Sequence, residues 1–376
     1  MNELYFDYAA TTPIDDSVVQ DMLAFMGRHA HFANPASTYH GHGQTARLAV
    51  EKARGQVAAL VGTTPDRLIW TSGATESNNL ALKGLAATAT DRRHLITSRL
   101  EHKAVLDAAL QLQREGFTVT WLEPDSDGLI QPQAVADALR DDTLCVSLMW
   151  VNNELGTLTD IPAVAALVRE HGALLHVDAA QATGKVVIDL ARLEVDLMSF
   201  SAHKTYGPKG VGALYVGPRA RPLLHAQIHG GGHEQGLRSG TLATHQIVGM
   251  GSAFALAMHC MDEEGGHIAA LSSHLYEGLL ALPGVHLNGS VSQRVPHTLN
   301  LCIDHPWFDP GRLNGVLACS STSACNAASG APSHVLLALG LDEQRAYRSL
   351  RLSLGRYTTL EDVEAAIEAL RLCLPR

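Results

Sequence analysis

Two hydrophobic segments each run into a residue able to do chemistry. Ala173-Leu174-Leu175-His176-Val177 leads to Asp178, and Ser199-Phe200-Ser201-Ala202-His203 leads to Lys204. An amine that forms a Schiff base and an acid that keeps a pyridinium nitrogen protonated are the two groups that pyridoxal phosphate needs from a protein. Taken alone, Asp178 has a commoner fate as the cap of a following helix. Its pairing with Lys204 on a neighbouring strand end is what favours the cofactor. Gln181, just past Asp178, is placed to bond the ring hydroxyl. Thr71 to Asn78 follows a strand-like run and opens a helix, and its small residues let backbone N–H groups approach an anion at a helix N-terminus. The plainer alternative there is a turn capped by Ser72 or Thr75. Ser201 and His203 add two possible phosphate donors, or else are ordinary hydrogen-bonded residues at a strand end.

Two residues further along have the types for substrate chemistry. Cys325 lies in Ser320 to Gly330, a run with nothing to pack a core, which predicts a mobile surface loop with an exposed thiol able to act as a nucleophile. An inert exposed cysteine is the alternative. Leu350-Arg351-Leu352-Ser353-Leu354 alternates like a strand, so Arg351 is a charge on a strand face, suited to a substrate carboxylate or to a structural salt bridge. Other motifs carry less. Gly207-Pro208-Lys209-Gly210-Val211-Gly212 lacks nucleotide-loop spacing and leads into a strand, so it is a turn. His229 and His233 are separated by three glycines with no further ligand nearby, which argues against a metal site.

The elements that must hold these residues alternate along the chain. Strand-like runs at 67–71, 94–98, 118–122, 144–151, 173–177, 196–199 and 211–216 are separated by amphipathic stretches, the rhythm of βα units around a mainly parallel sheet. Ligands collect beyond the carboxyl ends of such strands. Helical stretches are expected at 244–261 and 268–282, with a domain boundary near residue 258. Short strands near 285–287 and 299–303 and helices near 310–317, 332–339 and 360–374 then build a smaller α+β domain. The chain has 376 residues, 46% of them hydrophobic and 18% charged, enough for one large and one smaller core. A net charge of -10 without a basic stripe argues against direct nucleic-acid binding or an anionic membrane surface. No signal peptide or membrane-length apolar run is present, so a cytoplasmic location is expected. Six scattered cysteines without a C-x-x-C pair argue against disulfides and structural zinc, and Cys145, Cys260 and Cys302 are expected to be buried as small hydrophobes.

Nine short segments resemble one family and occur in its order: Asp7 to Pro13, Asn34 to Ser37, Thr71 to Asn78, Glu101 to Lys103, Val151 to Glu154, Ser201 to Lys204, Arg238 to Thr241, Ser323 to Cys325, and Arg351 to Arg356. Together they span almost the whole chain and resemble the PLP-dependent cysteine desulfurases of the NifS/IscS type. The resemblance implies an α/β chain of PLP fold type I, aspartate aminotransferase-like, with a mainly parallel seven-stranded sheet in a large domain. That domain would take residues 13–258, while residues 1–12 and 259–376 would form the small domain carrying the cysteine loop at about 320–333. It implies a homodimer that converts L-cysteine to L-alanine and leaves the sulfur as a persulfide on Cys325 for an acceptor protein. Lys204 would be the Schiff-base lysine, Asp178 the pyridinium partner, and Gln181 and Asn153 contacts near the ring hydroxyl. His102 would stack on the ring and move protons. Ala74, Thr75, Ser201 and His203 would hold the phosphate, with Thr241 reaching it from the other subunit, and Asn34 and Arg351 would hold the substrate carboxylate. Two departures accompany it. Thr322 stands where the family's loop has glycine, and the chain ends soon after the Leu360 helix, where housekeeping relatives carry a longer tail that docks an iron–sulfur scaffold. Acceptors in tRNA thiolation or DNA phosphorothioation are therefore expected beside iron–sulfur assembly. Selenocysteine lyase, an aminotransferase, and an inactive scaffold remain as alternatives.

Overall fold

The computed structural model describes residues 3–320 and 331–374. In chain order its strands are β1 (Leu4–Tyr5), β2 (Leu68–Thr71), β3 (His94–Ser98), β4 (Thr118–Leu122), β5 (Thr143–Met149), β6 (Leu174–Asp178), β7 (Leu197–Ser201), β8 (Gly212–Val216), β9 (Val285–Leu287), β10 (Thr298–Ile303), β11 (Leu317–Ala318) and β12 (Ser349–Ser353). The helices are α1 (Asp16–Leu23), α2 (Gly41–Leu60), α3 (Ala74–Ala86), α4 (Lys103–Arg114), α5 (Pro132–Ala138), α6 (Ile161–His171), α7 (Thr244–Leu280), α8 (His334–Ala338), α9 (Glu343–Tyr347) and α10 (Leu360–Cys373).

Seven strands form one sheet in the order β2-β8-β7-β6-β5-β3-β4, parallel except for β8, which runs antiparallel to both neighbours. Side chains alternate between two cores, as the two-residue period of a strand requires. Val146, Leu148, Leu175, Val177, Met198 and Phe200 pack on one face. Leu95, Cys145, Leu174, Leu197, Leu214 and Val216 pack on the other. Helices cover both faces, which is why these strands are apolar on both sides. A third core gathers Phe6 with Ile268, Leu275, Leu301, Leu352 and Ile367, around the antiparallel sheet β12-β10-β9. Val335, Leu336 and Ala346 join the first core of the large sheet instead. No helix among the described residues is long and apolar enough to cross a membrane.

Three expectations need correction. The helices expected at 244–261 and 268–282 are one helix, α7, which passes through residue 258 without a break. Tertiary contacts carry it through Gly265-Gly266: Glu264 receives Arg356 at 3.0 Å and His267 meets the carbonyl of Thr358 at 3.2 Å. The stretch expected to be helical at 310–317 is a short 3-10 turn, Pro310–Leu313, because Leu317–Ala318 pairs in parallel with Leu4–Tyr5. Cys145 and Cys302 are buried, but Cys260 is only half-buried on α7.

Candidate active site

The carboxyl ends of β5, β6 and β7 lie side by side: Met149 is in register with Asp178, and Asp178 with Ser199. Asp178 is the last residue of β6 and is buried. Its Oδ2 accepts from Asn78 Nδ2 at 2.7 Å and its Oδ1 from the Ala180 N–H at 2.9 Å, so α3 fixes the carboxylate from the side. Beneath it, on the same face of the strand, His176 lies between Ser147 Oγ (2.8 Å) and Ser199 Oγ (2.9 Å). Burial pulls the His176 pKa down to about 4, which leaves a neutral ring in a polar row under the Asp178 charge.

Lys204 follows β7 in a 3-10 turn, and its Nζ donates to the Ala9 carbonyl at 2.7 Å. The N-terminal segment thus passes directly over the lysine. Thr12 N–H donates to the His203 carbonyl at 2.9 Å, and Tyr206 N–H donates to Thr12 Oγ1 at 2.8 Å. His203 Nδ1 meets Thr11 Oγ1 at 3.1 Å, and burial, with Lys204 and Lys209 adding to it, lowers its pKa to about 4.

His102 caps α4, its Nδ1 accepting from Ala104 N–H at 3.1 Å, so the proton of the neutral ring sits on Nε2. Burial lowers its pKa, while Asp178 raises it and Lys204 lowers it further, which places all three groups in one electrostatic neighbourhood. The preceding residue, Glu101, is fully enclosed. It accepts from Ser98 Oγ and from Met149 N–H at 2.9 Å each, and burial raises its pKa to about 8. Glu101 therefore ties the end of β3 to the end of β5, just where His102 leaves the sheet.

α3 begins without a side-chain cap. Gly73 holds the cap position at φ 153°, and neither Ser72 nor Thr75 bonds the free N–H groups. Close packing explains the choice of residues: a Cβ at Gly212 would lie 2.6 Å from the Gly73 Cα. Ala74 and Thr75 stand in this uncapped first turn. Arg238 holds the turn from outside through Glu76, 2.8 Å from Nε. Thr241 lies exposed on the stretch before α7.

Gln181 donates from Nε2 to the same Ala9 carbonyl at 2.8 Å and accepts at Oε1 from Lys185 at 2.9 Å. Asn153 is buried with its Oδ1 unpartnered, and its carbonyl accepts from Arg351 Nη1 at 2.9 Å. Arg351 is buried on β12 and is also ion-paired to Asp7 at 2.7 Å, with Ser320 Oγ 3.0 Å away. Both readings of this arginine thus have a place, since the salt bridge is present and its Nε is buried without a partner among the described residues. Asn34 is not joined to Arg351 by a hydrogen bond among the described residues; it is exposed, its Oδ1 closing a turn on Ala36 N–H at 2.9 Å. Cys325 and Thr322 lie outside the described residues. Ser320 and Ser333 flank that stretch, and Ser333 Oγ donates to the buried carboxylate of Glu154.

Asn78 Oδ1, Glu101 Oε2, Asn153 Oδ1 and Arg351 Nε are buried without a hydrogen-bond partner among the described residues. Asn78 holds Asp178, and Arg351 holds the Asn153 carbonyl, so unused polar capacity lies on the side chains that flank both candidate groups. An amine, a buried carboxylate and an uncapped helix N-terminus fit pyridoxal phosphate.

A family model described as aminotransferase class-V matches residues 4–366. The chain belongs to the class-V aminotransferase family. Its architecture is PLP fold type I, the mainly parallel seven-stranded sheet being the family's central element. Among relatives of this class-V chain, cysteine desulfurase IscS of Azotobacter vinelandii is 56% identical over 365 residues, covering 96% of this chain and 90% of the relative. A solved structure described as a NifS-like protein superposes with a TM-score of 0.89 at 38% identity, covering 99% of both chains. Another, SspA in complex with cysteine, has a TM-score of 0.83 at 39% identity, covering 94% of this chain and 99% of that one. Several groups beside the candidate site residues had no signal of their own in the sequence: the Ala9 carbonyl at Lys204, Asn78 as partner of Asp178, Asp7 as partner of Arg351, and Lys185 as partner of Gln181.

Proposed function

We propose that the chain is a PLP-dependent cysteine desulfurase, which takes sulfur from L-cysteine, releases L-alanine and passes the sulfur through Cys325 to an acceptor protein. The observation that carries this reading is the adjacency of β6 and β7, one ending at Asp178 and the other leading to Lys204, in a chain 56% identical to a cysteine desulfurase. Pyridoxal phosphate, held there, supplies an electron sink for the carbon next to the amine.

The chain's own residues do the rest. Asp178, held by Asn78 and the Ala180 N–H, keeps a proton on the ring nitrogen. The uncapped turn at Ala74 and Thr75, with Ser201 and His203, holds the phosphate, and Thr241 serves the phosphate site of a second copy in a homodimer. Gln181 and Asn153 stand at the ring hydroxyl. Arg351, with Asn34, holds the substrate carboxylate. Lys204 removes the proton from the substrate α-carbon, and His102, neutral with its proton on Nε2, carries protons at the ring face. The Cys325 thiolate attacks the substrate sulfur: a sulfur–sulfur bond forms, the carbon–sulfur bond breaks, and its electron pair stays on carbon, where a proton completes alanine. The proposed division assigns residues 13–258 to the large domain and residues 1–12 with 259–376 to the small one, with α7 spanning the boundary and Val335, Leu336 and Ala346 packing on the large-sheet core. The protein acts in the cytoplasm, and its acceptors belong to iron–sulfur assembly, tRNA thiolation or DNA phosphorothioation.

The test is a sulfur-labelled L-cysteine incubation with parent, Lys204→Ala and Cys325→Ala proteins. Label trapped on the Cys325 peptide of the parent, and absent from both variants, is expected. Formation of alanine with release of sulfur that survives Cys325→Ala would show a lyase working without the persulfide.

A further inference from the structure

Lys185 lines a narrow cavity beside Lys204, together with Tyr8, Gly184, Glu264 and His297. It stands four residues after Gln181 in the helical turns that follow β6, where Thr183 N–H bonds the Ala179 carbonyl at 3.1 Å and Val186 N–H bonds the Ala182 carbonyl at 2.9 Å. Residues four apart in such a turn share one side, so the Lys185 ammonium meets Gln181 Oε1 at 2.9 Å. Gly184 makes this approach possible: its φ is +72°, and a Cβ there would lie 3.0 Å from Thr205 Cγ2, next to Lys204.

The two partners of Gln181 decide which way its amide faces. An ammonium has only donors and a peptide carbonyl only acceptor sites. With Lys185 on one side and the Ala9 carbonyl on the other, the Gln181 oxygen must face Lys185 and its NH2 group must face Ala9. The opposite orientation sets donor against donor and acceptor against acceptor. The Ala9 carbonyl also receives Lys204 Nζ at 2.7 Å, so Lys185, Gln181, Ala9 and Lys204 form one chain of hydrogen bonds. Among the described residues the charged groups around Lys185 are Lys204, Arg351 and Glu264, with Arg356 lining the same cavity and His297 close enough to feel its charge. Burial, the Lys204 charge and Arg351 disfavour the Lys185 ammonium and Glu264 favours it, so that binding the Lys204 amine to the cofactor removes one of the charges that oppose it.

We propose that Lys185 is a positioning residue of the Lys204 centre: it fixes the Gln181 amide with its NH2 group toward Ala9 and the cofactor ring hydroxyl, and places a second cation beside the Lys204 nitrogen. The proposal rests on Lys204 being the cofactor lysine. Both effects act in one direction. A nearby positive charge disfavours a proton on the Lys204 nitrogen, and a donor held on the ring oxygen spreads the negative charge that would attract that proton.

Holoenzyme is prepared from parent, Lys185→Met, Lys185→Gln and Lys185→Arg proteins, and the visible absorbance of the bound cofactor is titrated against pH. Lys185→Met is expected to raise the pKa of that transition by about 0.5–1 unit. Lys185→Arg, which keeps donor and charge, is expected to stay within about 0.2 unit of the parent. The dissociation constant for pyridoxal phosphate, measured by fluorescence titration, is expected to rise about 3- to 10-fold in Lys185→Met. Should Lys185→Met fail to fold, Lys185→Gln carries the same test of the charge. An unshifted transition in the uncharged variant, or an equal shift in Lys185→Arg, overturns the proposal. A parent protein that gains no visible band with pyridoxal phosphate overturns the reading of Lys204 itself, and the proposal with it.

Discussion

Glu234 offers the sharpest test of how the loop before α7 is held. Its carboxylate grips Arg54 with two hydrogen bonds, 2.8 and 2.9 Å, and accepts the Trp70 N–H of β2 at 2.7 Å. The Arg54 side chain is 9% exposed and that of Glu234 4%. Glu234 and Gln235 both lie in the left-handed region, at φ 49° and 57°, which costs about 1 kcal/mol or more for each residue and must be offset by the anchor. Glu234→Gln keeps the shape, but it sets an NH2 group against an Arg54 donor and leaves a buried cation without its main counter-charge. Breaking such a pair costs roughly 3–5 kcal/mol. Because Glu51 remains 3.2 Å from Arg54 on the exposed side, the lower end, about 3 kcal/mol, is expected. Removing both charges, as Arg54→Met with Glu234→Leu, leaves no buried charge but strips the Trp70 N–H and the Leu68 carbonyl, which Arg54 Nη1 holds at 2.9 Å, of these partners, at about 1–3 kcal/mol each, and is expected to cost less than the two single changes added. Urea unfolding followed by tryptophan fluorescence measures both, and Trp70 reports directly because Arg54 lies 5.3 Å above its ring. A cost below about 1 kcal/mol for the single change, or a double variant as unstable as the two singles added, refutes the reasoning.

Two further outcomes follow from the geometry. His176, His203 and His297 have pKa values drawn down to about 4, 4 and 3 by burial, against about 6.5 in the unfolded chain, so below pH 6.5 the unfolded chain binds protons that the native one refuses. Stability is therefore complete above pH 6.5 and falls as the pH drops toward 4, by up to about 4 kcal/mol per unit if all three contribute; a flat urea midpoint between pH 7 and 5 would contradict this. Asp178→Asn removes the charge that holds the ring nitrogen protonated while leaving Lys204 in place, so the cofactor band should form and turnover of L-cysteine should fall about 100-fold or more; unchanged turnover would remove Asp178 from that role.

The residues that could be read from sequence are those whose signal is local. β6 ending at Asp178 and β7 leading to Lys204 show as apolar runs with a polar residue at the end, and the uncapped turn before α3 shows as a small-residue stretch. Arg351 stood out as a charge in an alternating strand. Their partners did not, because they come from distant positions or from the backbone. The Ala9 carbonyl has no side-chain signature, and it reaches Lys204 across nearly the whole large domain in sequence. Lys185 lies outside every motif read from the sequence. Gly265-Gly266 lies between the two stretches expected to be separate helices, and glycine disfavours helix by about 1 kcal/mol, yet Arg356 on Glu264 and the Thr358 carbonyl on His267 hold α7 through it.

The same contrast explains why the N-terminal segment matters to the chemistry. The α-proton and the carboxylate of one amino acid hang on a single carbon, so the base that removes the first and the cation that holds the second must keep one spacing to within about 0.5 Å. In the proposed function Lys204 is that base and Arg351 that cation; Lys204 belongs to the large sheet and Arg351 to the small one, where its Nη1 reaches the Asn153 carbonyl beyond β5 at 2.9 Å. Residues Asp7 to Thr12 close the gap: Asp7 takes Arg351 at 2.7 Å, Ala9 takes Lys204 at 2.7 Å, and Thr12 clasps the His203 carbonyl. The Ala9 N–H donates to Ser353 Oγ at 2.8 Å, which fastens the same segment to β12. A short strap bonded to both groups adds to the direct Arg351–Asn153 bond in setting their distance, and it does so from a part of the chain where a local reading had found only a motif.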